Sequence, residues 1–443
     1  MRLPARVAPR IGVLCAVALG AAAAWAASAL AWSSPAAIYS NAAPQVLAVA
    51  GDPEGNAFAV YEGGTLDAPL LLSERSVRAP QSELMSLAWS SPRPLPGNVE
   101  GFTNGASALT AATAAASGDG AGVIALRYGA SLLTALVREP GHEFSTPATL
   151  AGGALGRLDT PAVSVSDSGA TVVAFHGAGG RSGTGRVLYT FRPPSGLFTR
   201  VAALASSDSA TPVVAQAADG WPVIAWTNRT TIYASRIGDT GRATPAQRLG
   251  AARREAPLTA AVGLGGDGVI AWIDTDGYLR LVRRSAPGAF SFSLPIHRAP
   301  SGTTMSDLTS AVDPQGRAFV AWREIKGTTR RVFVAQAPID GSFRITRLAS
   351  RGDIGRPVIT ARPTGGAAVA WPTTPGWQAA TTPAAKWGAP QKVSSALGGP
   401  DLDGADAKLI AGPGLRVELV WRQLGSAEPA TGPVVYAASD SGT

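Results

Sequence analysis

The chain has 443 residues, a hydrophobic fraction of 46%, a charged fraction of 15% and a formal net charge of +8. This composition excludes an intrinsically disordered chain, because it supplies enough apolar surface for a large core. The modest positive charge does not by itself favour nucleic acid as a partner, and we predict none. The basic residues are almost all arginine, which we attribute to genomic composition. The single cysteine, Cys15, excludes a disulfide framework.

The N-terminal segment has the pattern of an export signal. Arg2, Arg6 and Arg10 precede an uncharged apolar stretch, and small residues suited to cleavage follow it. We predict a signal peptide over residues 1–29 and a single domain over residues 30–443, with no membrane span after cleavage. An uncleaved membrane anchor is the alternative, because the apolar stretch is long enough to cross a bilayer. Either arrangement places the domain outside the cytoplasm, secreted or at the cell surface.

The rest of the chain repeats one unit. Each unit contains a short apolar run that usually closes on an aromatic residue, and a turn with Asp and Gly comes before most of these runs. Such turns between apolar segments are typical of β-hairpins. The closing residues follow one another at intervals of 46 to 51 residues after a first interval of 65. They are Tyr61, Leu126, Phe175, Trp226, Trp272, Trp322, Trp371 and Trp421.

Two further strands complete each unit. The third follows a variable loop, and the fourth carries an aromatic-x-x-Pro-x-x-aliphatic pattern, as in Trp387, Pro390 and Val393. Proline is tolerated at a sheet edge, so the fourth strand is predicted to be outermost. The last unit lacks this strand after its third one, whereas residues 32–38 carry the same pattern. We therefore predict that residues 32–38 pair with the last unit, residues 406–438, and close a ring without a free sheet edge.

Four-stranded units closed head to tail resemble the blades of β-propellers. The resemblance covers residues 30–443 and implies an all-β fold, an eight-bladed β-propeller of four-stranded antiparallel blades, with seven blades as the alternative. Residues 164–175 also resemble the Asp-box of secreted bacterial sialidase-like propellers. They lie between the first and second strands of their unit, whereas the sialidase box lies between the third and fourth. The resemblance therefore implies the architecture and not the catalytic set.

Candidate binding residues follow the second strand of several units. In a propeller these positions share one rim of the central channel, so we predict a ligand-binding rim there. Its three arginines could converge on an anion, and Tyr128 is the only tyrosine at the rim that could take the nucleophile role that the sialidase resemblance implies. We predict no catalytic residue. The predicted rim residues are Glu62, Arg127, His176, Asn228, Asp274, Arg323, Glu324 and Arg422.

Two weaker sites are also predicted. Asp401, Asp403 and Asp406 cluster in the loop leading into the last unit, and their carboxylates could hold Ca²⁺. Solvated Asp/Gly turns are the simpler interpretation, and no other cofactor is predicted. Trp221 and Trp377 break the repeat of buried aromatics and are candidates for stacking on a sugar ring.

The sequence thus predicts an exported, monomeric β-propeller that binds an extracellular glycan or protein. A sialidase-like glycoside hydrolase is the alternative function. An acid and a nucleophile at the channel mouth, opposite the arginines, would distinguish the hydrolase from the binding module.

Overall fold

The computed structural model describes residues 32, 36–40, 45–62, 69–75, 89–97, 109–178, 185–206, 212–217, 221–253, 256–285, 288–338, 341–350, 352–374, 376–383, 386–394, 407–411, 416–423 and 434–439. These residues form 33 β-strands, two short 3₁₀ turns and no α-helix. This part of the chain contains no helix that is long and apolar enough to cross a membrane. The predicted signal peptide, residues 1–29, lies outside the described residues.

The strands form eight antiparallel sheets, of which seven have four strands and one has five. Each sheet is one blade, and its strands are given from the channel outward. Blade 1 contains β2 (Gln45–Gly51), β3 (Ala57–Glu62), β4 (Leu70–Arg75) and β5 (Arg93–Pro94). Blade 2 contains β6 (Leu109–Ala116), β7 (Gly122–Tyr128), β8 (Leu132–Arg138) and β9 (Ala148–Ala151). Blade 3 contains β10 (Arg157–Leu158), β11 (Ala162–Val165), β12 (Thr171–Ala178), β13 (Gly185–Arg192) and β14 (Ala202–Ser206). Blade 4 contains β15 (Val213–Ala215), β16 (Val223–Asn228), β17 (Thr231–Arg236) and β18 (Gln247–Ala251).

The second half of the ring has the same plan. Blade 5 contains β19 (Leu258–Val262), β20 (Gly268–Ile273), β21 (Tyr278–Arg284) and β22 (Leu294–Arg298). Blade 6 contains β23 (Thr304–Val312), β24 (Ala318–Lys326), β25 (Thr329–Ala337) and β26 (Arg344–Ala349). Blade 7 contains β27 (Val358–Ala361), β28 (Ala367–Thr373), β29 (Gly376–Thr382) and β30 (Gln391–Lys392). Blade 8 contains β31 (Ala407–Ala411), β32 (Val417–Gln423), β33 (Val434–Ser439) and the N-terminal strand β1 (Ala36–Ser40).

The inner strands of successive blades contact one another in a closed cycle, in the order β2, β6, β11, β15, β19, β23, β27, β31 and again β2. A cavity of about 200 Å³ on the ring axis is lined by residues of all of these blades. The all-β propeller prediction is therefore confirmed, with eight sheets around the axis. We call the face where the chain enters the inner strands and leaves the second strands the upper face.

Blade 3 departs from the predicted four strands. Its inner strand is divided, because β10 and β11 both pair with β12, through Arg157↔Ala178 and Ala162↔Ala174 respectively. Pro161 lies between the two pieces and has no backbone N–H to donate to the ladder.

The N-terminal strand completes blade 8, as the ring-closure prediction required. β1 pairs antiparallel with β33 from Ala36↔Ala437 to Ser40↔Val434. The strand lies a few residues later than the predicted 32–38, and Trp32, the aromatic residue of the pattern, packs half-buried against the core between blades 7 and 8. Trp32 therefore anchors the segment to the core, and the residues that follow Pro35 pair with β33.

The second-strand aromatics fill the seams between blades. Trp226, Trp272, Trp322, Trp371 and Trp421 are each no more than 1% exposed. Burial on both faces explains why the second strands are continuous apolar runs rather than alternating ones. The stacking prediction for Trp377 is wrong, because this side chain is 2% exposed and packs in the core cluster that contains Trp421. Trp221 is 40% exposed, with the Arg236 guanidinium 5.2 Å from its ring centre, and its role stays a prediction.

An arginine ends the third strand in each of the first five blades, on the lower face. Arg138 is an example: its Nε donates to the Gly120 carbonyl at 2.7 Å, and its guanidinium lies 4.9 Å from the Phe144 ring centre. The carbonyl belongs to the turn between the inner and second strands, so the arginine fixes this turn to the third strand. The five residues are Arg75, Arg138, Arg192, Arg236 and Arg284.

Three of these arginines also form ion pairs across a seam. Each pairs with a glutamate of the preceding blade, and the pairs are Arg75–Glu418, Arg138–Glu74 and Arg192–Glu139. The first pair joins blade 1 to blade 8, so the closing seam carries an Arg–Glu pair, as two internal seams do. Its side chains are only 3% and 8% exposed, and the Trp89 indole donates to Glu418 at 3.3 Å.

Candidate functional site

The predicted rim residues lie at the upper ends of the second strands, but hydrogen bonds within the fold engage several of them. Arg127 donates from Nε to the Thr110 hydroxyl at 2.9 Å and from Nη1 to the Leu158 carbonyl at 2.7 Å. His176 Nδ1 lies 2.8 Å from Asp159 Oδ2, and Asp159 sits between the two pieces of the divided inner strand. Arg127 thus connects the second strand of blade 2 to the inner strands of blades 2 and 3. His176 connects the second strand of blade 3 to the inner strand of the same blade.

Asp274 belongs to a turn rather than to the channel. It is 2% exposed and accepts hydrogen bonds from the Asp276 and Tyr278 backbone N–H groups at 2.9 and 2.8 Å. Its other oxygen forms an ion pair with Arg280. A buried carboxylate with these partners fixes the hairpin after β20 and is not accessible to a ligand.

Glu324 points into the seam between blades 5 and 6. It is 2% exposed, and its Oε1 lies 2.6 Å from His297 Nε2 on the outer strand of blade 5. The imidazole also packs against Trp322, with ring centres 5.3 Å apart. Neighbouring residues on a strand point to opposite faces, so Glu324 turns away from the side that Arg323 occupies.

The remaining predicted residues are spread around the ring. Asn228 is half-buried at the end of β16, and Arg422 is half-buried on β32 directly after Trp421. Glu62 ends β3, and its side chain lies outside the described residues. The described contacts bring no two of the predicted rim side chains together.

Arg323 belongs to a charged cluster at the channel mouth that continues onto the next two blades. Its Nε lies 2.8 Å from Asp307 Oδ2, and Arg356, on the segment leading into β27, places its Nε 3.1 Å from the other oxygen, Oδ1. Asp307 interrupts β23 at a bulge with a φ of +57°, and its side chain is 9% exposed. A left-handed conformation costs a non-glycine residue about 1–3 kcal/mol and persists only where the surrounding structure enforces it. The bulge therefore fixes the position of the Asp307 carboxylate.

Lys408 extends the cluster. It is the second residue of the inner strand β31 and remains in contact with solvent. Partial desolvation by the surrounding protein atoms lowers the pKa of its ammonium, and repulsion from Arg356 lowers it further. We call Asp307, Arg323, Arg356 and Lys408 the mouth cluster.

The mouth cluster carries more positive than negative charge among the described residues. Asp307 is shared by two arginines, Arg356 keeps half of its side chain exposed at 50%, and Lys408 has no described carboxylate partner. Guanidinium and ammonium groups that are partly desolvated favour an anion. Sequence reasoning missed Arg356 and Lys408 because it considered only the second strands. Lys408, one of four lysines in the chain and placed on an inner strand, was the available signal.

The predicted Ca²⁺ ligands Asp401, Asp403 and Asp406 lie outside the described residues. Within the described residues, no group of three or more His, Cys, Asp or Glu side chains is arranged to hold a metal ion. The Ca²⁺ site stays a prediction.

Comparisons with known proteins identify the fold. No protein-family model matches the chain, and no curated protein matches it. Among solved structures, the WD40 domain of SCAP from fission yeast is similar over 93% of this chain and 98% of its own, with 10% identity and a TM-score of 0.50. The polysaccharide lyase Uly1 is similar over 92% of this chain and 91% of its own, with 11% identity and a TM-score of 0.46. A Dyadobacter fermentans protein of unknown function is similar over 63% of this chain and 94% of its own, with 14% identity and a TM-score of 0.38. At these identities the likeness concerns the β-propeller fold alone.

Proposed function

We propose that the protein is an exported binding module whose upper channel mouth holds an anionic extracellular ligand, namely an acidic glycan. The mouth cluster is the observation that carries this proposal. Two of its three cations share one described carboxylate, the third has none, and the three come from successive blades of the closed ring. A ligand that contacts all three must lie across the channel mouth.

Three of the acidic groups on the upper face favour binding over hydrolysis. Glycoside hydrolysis requires two carboxyl groups that face one bound sugar and exchange protons with it. Asp274 and Glu324 are instead committed to a turn and a seam, and Asp307 is held between two arginines. A hydrolase built on the sialidase plan remains the alternative, and product release would reveal it.

The test is retention of acidic polymers by the purified chain, with release of reducing sugar measured in the same samples. We expect polygalacturonate to be retained and neutral dextran to pass, with weaker retention at high salt because screening weakens the attraction between partly exposed charges. Charge-assisted hydrogen bonds contribute about 1.5–3 kcal/mol each, so the double variant Arg356→Gln, Lys408→Gln should bind at least tenfold more weakly. Lys392→Gln, on the exposed outer strand of blade 7, is the matched control and should bind normally.

Each outcome decides between the alternatives. Retention that the double variant loses and the control keeps supports the proposal. Equal retention by all three proteins would exclude the mouth cluster as the site. Sugar release would replace the binding module with the hydrolase.

A further inference from the structure

A groove crosses the upper edge of blade 5 and reaches the start of the inner strand β23. One wall is the turn after β20, residues 273–277, and the other is the segment 298–305 that connects blade 5 to blade 6. Arg253, on the connection from blade 4, closes one end, and its backbone N–H donates to the Ile273 carbonyl at 3.4 Å. The groove encloses about 560 Å³. Ligand pockets of proteins typically measure about 300–1,000 Å³, so the groove is large enough for a small ligand.

Two arginines in the groove have no described anionic partner. Arg253 and Arg298 both line it, both are exposed, and no described carboxylate contacts either guanidinium. The Arg298 guanidinium lies 5.1 Å from the ring centre of Tyr278, which orients it by cation–π contact. By contrast, the nearby Arg280 forms an ion pair with Asp274. The groove thus has two cations that form no described ion pair, and the contact with Tyr278 orients one of them, Arg298.

The groove also offers groups that suit hydroxyls. Asp276 lines it, and the described contacts of Asp276 involve only its backbone N–H, which donates to Asp274 at 2.9 Å. The Thr303 hydroxyl is buried in the same lining and has no hydrogen-bond partner among the described residues. A buried hydroxyl without a partner costs free energy, and a ligand hydroxyl would satisfy it once the half-buried Thr303 side chain turns toward the groove.

These groups together select the ligand. A compact dianion such as inorganic sulfate or phosphate would be repelled by the Asp276 carboxylate, whereas a neutral sugar would leave both guanidinium groups without a counter-charge. A sugar unit that carries one carboxylate and several hydroxyls matches both requirements. We propose that the groove binds a uronic acid, with its carboxylate between Arg253 and Arg298 and its hydroxyls on Asp276 and Thr303. This site is separate from the mouth cluster, and it exists whether or not the channel mouth binds a polymer.

The experiment is titration calorimetry of the full chain with trigalacturonate, maltotriose and sodium sulfate. We expect trigalacturonate to bind and the other two not to bind. Arg253→Gln and Arg298→Gln should each weaken trigalacturonate binding by about tenfold or more, because each removes a charge-assisted contact. Arg347→Gln, on the exposed outer strand of blade 6, makes the same charge change away from the groove and should have no effect. Both groove arginines are exposed, so unchanged melting temperatures are expected and show that the variants fold.

The outcomes separate this proposal from the previous one. Loss of binding in the groove variants, with normal binding by Arg347→Gln and by the double variant of the mouth cluster, supports the groove. Absence of trigalacturonate binding, equal binding by the groove variants, or tighter binding of maltotriose or sulfate than of trigalacturonate would overturn it. Loss of binding only in the mouth-cluster variant would assign the uronic acid to the channel mouth and also overturn the groove proposal.

Discussion

The ion pair between Arg75 and Glu418 is expected to determine the stability of the closing seam. We predict that Glu418→Gln, which keeps the shape of the side chain and removes its charge, destabilises the folded ring. Arg75 would then remain 4% exposed without a described carboxylate partner, although the Gly55 carbonyl and the Trp89 ring still contact it. Removal of one member of a buried ion pair costs about 3–5 kcal/mol, because the other charge stays buried without compensation.

The size of the effect can be converted into a melting temperature. The entropy of unfolding is about 2 cal/mol/K per residue, so for a chain of this length we expect the midpoint to fall by about 3–6 °C. Differential scanning calorimetry at neutral pH measures this shift. Glu143→Gln is the matched control, because Glu143 pairs with Arg93 at 3.3 Å while its side chain is 76% exposed. A surface pair of this kind contributes about 0–1 kcal/mol, so the control should melt almost as the parent does.

A second variant tests the cause. Replacement of both partners by apolar residues, Arg75→Met with Glu418→Leu, removes the buried charge altogether and is expected to recover most of the lost stability. Equal melting temperatures for Glu418→Gln and Glu143→Gln would refute the reasoning. So would a double variant that is no more stable than Glu418→Gln.

Three further predictions concern other parts of the ring. Deletion of Ala36–Ser40 leaves an edge of β33 unpaired and should cause aggregation, seen by size-exclusion chromatography as loss of the monomer peak. Gly366→Ala should lower the free energy of unfolding, measured by chemical denaturation, more than Gly327→Ala does. Both glycines have positive φ, but only at Gly366 would the new Cβ meet a backbone atom, the Thr382 carbonyl oxygen at 1.7 Å. In the folded protein the pKa of Lys408 is lowered below its ordinary 10.5, so as the pH falls the unfolded state takes up this proton first. The free energy of unfolding should therefore decrease from pH 10.5 downward, until the folded-state pKa is passed. Lys408→Gln should remove this pH dependence, and an identical dependence in both proteins would contradict it.

The fold could be predicted because each blade meets the same physical demand. A second strand that is covered on both faces must be apolar throughout, and an aromatic residue such as Trp322 at its end fills the seam to the preceding blade. This requirement repeats at nearly constant spacing and is visible without a structure. The interruption of the inner strand in blade 3 was not predicted, since a single proline in the first strand of a unit carries no repeating signal.

The candidate site was predictable only in part, because it depends on which way side chains point. Arg323 and Glu324 follow one another, yet one reaches Asp307 at the channel mouth and the other reaches His297 in a seam. The carboxylate that orients Arg323 sits on a bulge with positive φ, and no residue pattern around Asp307 indicates such a bulge.

The arginines at the ends of the third strands were attributed to genomic composition. Five of them occupy one structural position, where Arg138, for example, fixes a turn of its own blade and pairs with Glu74 of the previous blade. The second-strand aromatics were found because apolar runs mark them. An isolated arginine between variable loops has no such mark, so its repetition becomes clear only when the strands are aligned in space.

The pairing of β1 with β33 also decides how the ring responds to mechanical load. The two strands are antiparallel, and Ala36 lies opposite Ala437, so the flanking segments leave the pair at the same end. Tension applied through both segments therefore opens the ladder one hydrogen bond at a time instead of shearing all of them together. In optical-tweezer experiments, blade 8 should open at a lower force through these segments than when it is pulled along its strands. If only one of the two flanking segments is attached, no force acts across the pair of β1 and β33.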